Sequence, residues 1–427
     1  MMEILVNANL HEARAAVVQN GVVQEVFLER ATRRGLISNI YKGRVSRVLP
    51  GMQAAFIEIG LERTAFLHAA DILDPRHTDN AIELPRPDIR ALVCEGNDIL
   101  VQVIKDPLGS KGARLTTYIT LPSRYLVYMP QSPGVGVSAR IEGETERERL
   151  RSLVQSGMDA GENAGYIVRT AAEDATHEAL LADMAYLRKL WEFVRQKSLR
   201  TEAGKLVHAD LPLHLRVLRD LLHPGVDRVL IDQVSVHNEM REFAATFMPA
   251  ALSTLGLYAE ARPLFELHQV EEEIQKALQP KVSLKSGGYV IIEQTEAMAT
   301  IDVNTGAFVG HRNLEETIFR TNLEAAVAIA RQLRLRNLGG IIIIDFIDME
   351  EPEHRRQVIQ ALEKNLADDH VKTSISSVSP LGLVEMTRKR TRESLEHLLC
   401  QPCPTCEGRG FVKTAETVCY EVFREIV

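Results

Sequence analysis

The chain has 427 residues, 45% of them hydrophobic and 25% charged, which is too long for one simple core and predicts roughly two to four domains. A formal net charge of −8 excludes a protein that binds polyanions over its whole surface and leaves local basic clusters as the source of any positive face. No apolar run reaches the length of a membrane span, and five cysteines in so long a chain make no disulfide framework, so a reducing cytoplasm fits. The opening "MMEILVNANLHEARAAVV" has no basic segment followed by an apolar one, so it does not read as a signal peptide.

Residues 1–37 alternate apolar and polar, as in "EILVNANL" and "GVVQEVFLER", and predict a short meander of strands. The next stretch, "SNIYKGRVSRVLPGMQAAFIEIGLERTAFLHAADI", holds short strands broken at Pro50-Gly51 and at Gly60. Strand patterns resume in "NDILVQVIKD" and "ARLTTYITL", after an irregular loop "LDPRHTDNAIELPRPD". Five short strands of this kind predict a small antiparallel barrel. Residues 119–213 start with strand-like "RYLVYMP", include "AGYIVRTAA", and carry a long helix from Thr176 to Lys197. From 214 to 280 strands and helices mix, "RVLIDQVSVH" being the clearest strand.

The segment "GGYVIIEQTEAMATIDVNTGAF" predicts a hairpin of two strands. In "NLEETIFRTNLEAAVAIARQLRLRNLGG" a helix starts at a capping-box pair, Asn313 with Glu316, and is stopped by Gly339-Gly340. "IIIIDFIDM" then predicts a buried strand, apolar until it meets an acid, and "EHRRQVIQALEKNLADD" a helix. Strand, helix, strand, helix predicts an α/β or α+β catalytic domain. The chain has no internal repeat and no low-complexity tract.

Four groups of residues carry candidate chemistry. Asp302 and Asn304 share one face of a strand, and Asp345 ends a core strand. Carboxylates on rigid strands suit Mg²⁺ and metal-assisted phosphodiester cleavage; the plainer alternative is that each acid caps a loop or pairs with an arginine. Phe56 and Phe66 flank a turn of the barrel, with Lys42, Arg44, Arg47 and Lys111 nearby, a mixture that suits single-stranded nucleic acid unless both rings are core. The basic runs "ARQLRLR" and "TRKRTRE" flank the acidic residues, either as solvated faces or as a screen for a polyanionic substrate. Cys400, Cys403 and Cys406 form a C-x-x-C-x-x-C run, with Cys419 as a candidate fourth ligand. An intrachain zinc site, an iron–sulfur cluster and a half-site shared between two subunits compete there; Gly410 stands where a cluster's fourth cysteine is expected.

Together "NIYKGRVSRVLPGMQAAFIEIG", "TEAMATIDVNTGAFVGHRNLEETIF", "ARQLRLRNLGGIIIIDFIDM", "LGLVEMTRKRTRESLEHLLC" and "CPTCEGRG" closely resemble the ribonuclease E/ribonuclease G family, the shorter form most of all. The resemblance covers essentially the whole chain and implies an α+β multidomain fold. Residues 38–118 would form an S1 RNA-binding barrel of the OB-fold type, and 119–213 a sensor of the RNA 5′ end. Residues 1–37 and 214–279 would share a ribonuclease-H-like subdomain without its own active site. Residues 280–399 would form a DNase-I-like catalytic subdomain, 400–414 a zinc link and 415–427 the start of a small domain. Family members continue into that small domain, which supports higher assembly, so the resemblance implies a chain cut short.

The family's metal ligands fall on Asp302 and Asp345, with Asn304 beside them. Its RNA-contacting residues fall on Phe56, Phe66 and Lys111. Its 5′-phosphate sensor falls on Arg169 and Thr170, supported by Val127. Lys372 stands where the family has an arginine, and Ser123 where some members have glycine. Its zinc link shares one Zn²⁺ between two subunits through Cys403 and Cys406, which makes Cys400 and Cys419 bystanders. The implied protein is a Mg²⁺-dependent, cytoplasmic, homodimeric endoribonuclease. Its substrates would be single-stranded regions of rRNA precursors and mRNA, its cleavage would leave a 5′-phosphate and a 3′-hydroxyl, and a 5′-monophosphate would stimulate it. A non-catalytic RNA-binding adaptor and a DNA nuclease are the rival classes.

Overall fold

The structure is a computed structural model that describes residues 1–32, 34–73, 87–107, 112–141, 143–159, 163–173, 175–223, 225–306, 314–367, 369, 371–376, 378–379, 381–390 and 392–426. The expected loop core at 74–86, the capping residue Asn313 and the basic residue Lys111 lie outside the described residues. The chain divides into two compact units, Met1–Val22 with Phe27–His268, and Val23–Val26 with Gln269–Val427.

In the first unit β1 (Met2–Ala8) pairs antiparallel with β2 (Glu12–Gln19), and Asn20 and Gly21, both at positive φ, turn the chain into β3 (Val22–Arg30). An Asn-Gly pair supplies that left-handed backbone at little steric cost. The barrel follows: β4 (Ile40–Leu49), β5 (Ala54–Glu58), β6 (Ala65–His68), β7 (Asp98–Lys105) and β8 (Arg114–Thr116). Their order is β4-β5-β6-β8-β7, closed by pairing of β7 with β4; the β6–β8 pair is parallel, where an all-antiparallel barrel was expected.

A second sheet is built from β9 (Leu121–Pro122), β10 (Leu126–Met129), β11 (Gly134–Val137) and β12 (Gly165–Val168). Two helices share its core, Glu144–Ser156 through Leu150 and Val154, and His177–Arg200 through Leu180, Met184, Leu187 and Val194. The longer helix begins where the sequence predicts, with the Thr176 hydroxyl accepting the Ala179 N–H at 3.3 Å. Next, β13 (Lys205–His208) returns to the barrel and pairs with β4. Finally β14 (Arg228–Ile231) and β15 (Leu255–Leu257) run parallel to β1, so one sheet joins strands from both ends of this unit. The expected strand "RVLIDQVSVH" stops at Ile231; from Val234 the chain is helical to Phe247, burying Met240 and Ala244 on one face. The i, i+4 spacing of that apolar face outweighs the β preference of the two valines.

The second unit holds a six-stranded sheet. Its strands are β16 (Lys281–Ser283), β17 (Tyr289–Gln294), β18 (Met298–Asn304), β19 (Gly340–Asp345), β20 (Thr373–Ile375) and β21 (Leu383–Arg388), in the order β16-β17-β18-β19-β21-β20. The one parallel pair, β18 with β19, is joined through the helix Leu314–Leu335. Ala325, Ile329 and Leu333 of that helix, with Val358 and Leu362 of the helix Pro352–Leu366, share a core with Ile301, Val303, Ile342 and Ile344. Burying Ile342 and Ile344 of β19 contributes about 1.5–3 kcal/mol each.

Two expectations change here. The isoleucine strand is not buried on both faces: Ile342 and Ile344 are fully covered, whereas Ile341 is 48% exposed, because the two helices lie against one face only. The helix, too, is not stopped by the glycines. Asn337 takes the left-handed position at φ 49°, its N–H donates to the Arg334 carbonyl at 3.1 Å, and the Leu338 N–H donates to the Leu333 carbonyl at 3.0 Å, forming a Schellman motif. Gly339 and Gly340 follow that stop, Gly340 at φ 98°, and a Cβ on Gly340 would sit 2.8 Å from Nε of Arg390.

Candidate functional site

Strand register sets the acidic site. In the parallel pair β18–β19, Asp302 and Asp345 are direct partners, so both carboxylates leave the sheet at one level. The alternation of each strand buries Ile301, Val303 and Ile344 and leaves the two acids exposed. Asn304, two residues on, donates from Nδ2 to Oδ2 of Asp302 at 2.8 Å. Burial first, and then the charges of Asp302 and Asp348, push the Asp345 carboxyl above its usual range. Asp348 was not singled out in the sequence, although it follows Asp345 by one helical turn's worth of chain in "DFIDM".

No lysine or arginine among the described residues pairs with Asp302 or Asp345. The alternative of two structural ion pairs is therefore not formed there. Hard oxygen donors with uncompensated charge fit a hard cation that keeps several waters. They do not make a complete cage: among the described residues no three His, Cys, Asp or Glu side chains are gathered for a metal.

On the barrel, Phe56 and Phe66 are cross-strand partners with ring centroids 6.4 Å apart and an edge-to-face angle of 68°. Neither is fully buried, so they are not simple core. Register extends the row on both sides: Arg47 lies opposite Phe56, and Arg114 opposite Phe66 and Lys105. The result is a strip of cation, two aromatics and two cations across adjacent strands. Arg114 is held by Asp71 at 2.8 Å. His68 tilts against Phe66, centroids 6.4 Å apart. Arg44, named with these cations from the sequence, is engaged with Asp98 at 2.9 Å instead. Arg114 escaped notice because cross-strand register, not chain spacing, brings it beside Phe66, whereas the period-two spacing of His68 from Phe66 on β6 could have revealed that pair.

Arg169 directly follows β12 and is half-buried; Thr170 comes next, exposed, at the start of a short turn. The Arg169 guanidinium donates to the Ser123 carbonyl and, at 2.8 Å, to Asp220. Asp220 in turn is shared with Arg219, whose Nη2 lies 2.9 Å away and which also pairs with Asp210 at 2.6 Å. Burial raises the Asp220 carboxyl, but the charges of Arg219 and Arg169 outweigh it and hold the group below its usual range. Arg169 thus has an acidic neighbour that competes for its guanidinium. The hydroxyls of Thr170 and Ser138 are 3.1 Å apart. Val127 lies opposite Ile167 on β10, and the buried Ser123 hydroxyl donates to Asp183 from the helix His177–Arg200. Lys372 belongs to the second unit, where it is exposed and its carbonyl accepts the Lys389 N–H at 3.0 Å.

At the cysteines, the Cys403 carbonyl accepts the Glu407 N–H at 2.7 Å and the Cys406 carbonyl accepts the Arg409 N–H at 2.9 Å. Glu407, Gly408 and Gly410 take positive φ, which wraps the chain around the pair. Backbone N–H groups of Cys406, then Thr405, lower the Cys403 thiol below its ordinary value. Cys400 and Cys419 are exposed and do not gather with the pair into a four-thiol group. Two turned thiols fit half of a tetrahedral zinc site.

A profile of the Ribonuclease E/G family matches residues 120–391. Ribonuclease G of Salmonella typhimurium (strain SL1344) is 57% identical over 100% of this chain and 87% of its own. Ribonuclease G of Haemophilus influenzae is 54% identical over the same shares. Ribonuclease E of Nostoc sp. is 40% identical over 96% of this chain and 59% of its own. The fold and site therefore define a multidomain α+β protein with a closed barrel and a strand-borne acidic site. The chain belongs to the ribonuclease E/G family, a family of endoribonucleases. Among the described residues no helix is long and apolar enough to cross a membrane.

Proposed function

We propose that this protein is a Mg²⁺-dependent, single-strand-specific endoribonuclease of the cytoplasm, acting in rRNA maturation and mRNA decay and stimulated by a 5′-monophosphate on the RNA. The observation that carries the reading is the register partnership of Asp302 and Asp345, two unpaired carboxylates at one level of a rigid sheet. Magnesium bound there would supply the Lewis acidity for phosphodiester hydrolysis leaving a 5′-phosphate and a 3′-hydroxyl. Asp302 and Asp345 hold the ion, and Asn304 orients Asp302 through its 2.8 Å hydrogen bond.

Phe56 and Phe66 stack unpaired bases, while Arg47, Lys105 and Lys111 meet phosphates; a duplex hides its base faces and cannot use the rings. Arg169 and Thr170, supported by Val127, receive the 5′-terminal phosphate as a guanidinium fork and a hydroxyl. In this reading residues 38–118 are the S1 domain, 119–213 the 5′-sensor, 1–37 with 214–279 the ribonuclease-H-like subdomain and 280–399 the DNase-I-like subdomain. Cys403 and Cys406 in the link 400–414 share one Zn²⁺ with a second subunit, and 415–427 begins the small domain of a higher assembly.

The test is cleavage of a 5′-monophosphorylated single-stranded RNA with and without magnesium, beside a 5′-hydroxyl RNA and a DNA of matching sequence. Magnesium-dependent cleavage of RNA alone, faster for the monophosphate, supports the proposal. Absence of cleavage, or equal cleavage of DNA, overturns it.

A further inference from the structure

The carboxylate of Asp345 is only as well placed as the loop that follows it. That loop, Phe346–Glu351, has no regular structure, yet it carries Asp348 and leads into the helix Pro352–Leu366. Asn322, in the middle of the helix Leu314–Leu335, grips it. The Asn322 Nδ2 donates to the Ile347 carbonyl at 2.8 Å, and the Ile347 N–H donates to Oδ1 of Asn322 at 3.1 Å. One side chain therefore satisfies both the acceptor and the donor of a single residue, two positions after Asp345 and one before Asp348.

Asn322 is wholly buried, at 0% exposure, among the apolar residues of that helix. A buried primary amide in an apolar helix face is costly unless it is fully bonded, and here its partners belong to no helix or strand. A second grip lies one edge along. The Glu315 carboxylate accepts the N–H groups of Glu350 at 3.2 Å and Glu351 at 3.3 Å, and it meets Nδ1 of His354 at 2.9 Å. The His354 ring stacks on Phe319, centroids 4.1 Å apart. The helix thus presents Glu315, Phe319 and Asn322, at spacings of four and three residues, to the loop that follows the catalytic strand.

We infer that Asn322 is a positioning residue of the metal-binding site: it fixes the Ile347 peptide and through it the direction of Asp345 and Asp348. This rests on the reading of Asp345 as a magnesium ligand. Partners that orient ligands without touching the ion typically change metal affinity or activity by about 10–100-fold when removed.

The experiment compares the full chain with its Asn322→Ala and Asn322→Ser variants, and with Asp345→Asn as a reference. Three quantities are read: binding of Mn²⁺ alone by electron paramagnetic resonance, kcat and KM on a single-stranded RNA, and the thermal midpoint. For Asn322→Ala the expected result is Mn²⁺ binding weakened, and kcat lowered, by about 10-fold or more, with KM changed less than about twofold. Asn322→Ser, which keeps one hydroxyl for one of the two peptide groups, should fall between. A lowered thermal midpoint with unchanged Mn²⁺ binding and unchanged kcat would make Asn322 purely structural and overturn the inference. If Asn322→Ala does not fold, Asn322→Ser decides by the same criteria. Asp345→Asn separates the two ideas: if it keeps both Mn²⁺ binding and cleavage, the metal reading of the site fails, whatever Asn322 does.

Discussion

Asp302 and Asp345 are register partners across the parallel pair β18–β19, although the helix Leu314–Leu335 separates their strands in the chain. Burial, and then the charge of Asp302 at the same level, push the Asp345 carboxyl above its usual range. Asp302→Asn or Asp345→Asn should lower magnesium-dependent turnover by more than the about 10–100-fold cost of a lost supporting residue. RNA binding measured without magnesium should change little, because the aromatic strip is elsewhere. Near-wild-type turnover in either variant would remove the residue from the site.

The strip Arg47–Phe56–Phe66–Arg114 makes a separate prediction. Replacing Phe56 or Phe66 by Ala should weaken binding of a single-stranded RNA by about 1–3 kcal/mol, the worth of one stacked base. Arg47→Gln should instead reduce the slope of log affinity against log salt by about one unit, with a uniform loss across sequences. Filter binding at several salt concentrations distinguishes the two; a salt-slope change in Phe56→Ala would argue that the ring acts only through packing.

Arg169 cannot meet a terminal phosphate without sharing or releasing Asp220. Arg169→Gln should erase most of the rate advantage of 5′-monophosphorylated RNA and leave the slower 5′-hydroxyl rate intact. Equal loss on both substrates would assign Arg169 a structural role in its ion network.

The same network has a pH signature. Asp220 titrates below an ordinary carboxyl, since the charges of Arg219 and Arg169 outweigh its burial. A depressed folded-state value stabilises the fold above the unfolded carboxylate value, near about 3.9, and that contribution is lost as pH falls through the folded value. Asp220→Asn should therefore flatten the acid limb of stability below about pH 4. Denaturant titrations between neutral and acid pH measure it, and an unchanged slope would refute the assignment.

Cys403→Ser combined with Cys406→Ser should abolish zinc binding and shift a dimer toward monomer. Metal analysis of the unmodified protein should give about one zinc per two chains for a shared tetrahedral site. One zinc per chain would return Cys400 and Cys419 to consideration.

Arg388 and Asp369 form the most enclosed ion pair described, with side-chain exposures of 3% and 2% and a contact of 2.6 Å. Asp369→Ala would leave a buried guanidinium with only the Asn337 side chain and the Leu338 carbonyl, so a loss of about 3–5 kcal/mol is expected. Chemical denaturation gives the number; a cost under about 1 kcal/mol would mean water reaches the arginine.

Local signals predicted much of this. Thr176 marks its helix start, the alternating stretches of residues 1–37 form adjacent strands, Asp302 sits on the exposed face of β18 and Asp345 ends β19 as their neighbours imply. What spacing could not convey is register between distant strands. Nothing in the chain order places Arg114 beside Phe66, or Asp345 level with Asp302, because those pairings are set by how a crossover returns to the sheet. Asp220 and Asp348 escaped notice for a related reason, since each acquires meaning only from the cation or carboxylate that folding brings near. Asn337 misled differently: glycine is the better left-handed candidate by propensity, and Gly340 does take a positive φ of 98°, but the helix has already ended in the Schellman turn at Asn337.

The strand Lys205–His208 gives the barrel an unusual life history. It pairs with Ile40–Lys42 on β4, and its turn at Gly204 comes so close to Gly60 that a Cβ there would lie 2.1 Å from the Gly204 carbonyl. During synthesis the ribosome finishes all five barrel strands long before this piece emerges. Until then the first residues of β4 present open backbone groups, a template for pairing with another chain. A fragment cut at the end of residue 118 would keep that edge open permanently. It would carry the aromatic strip with one edge of β4 unpaired, open to pairing with a second copy.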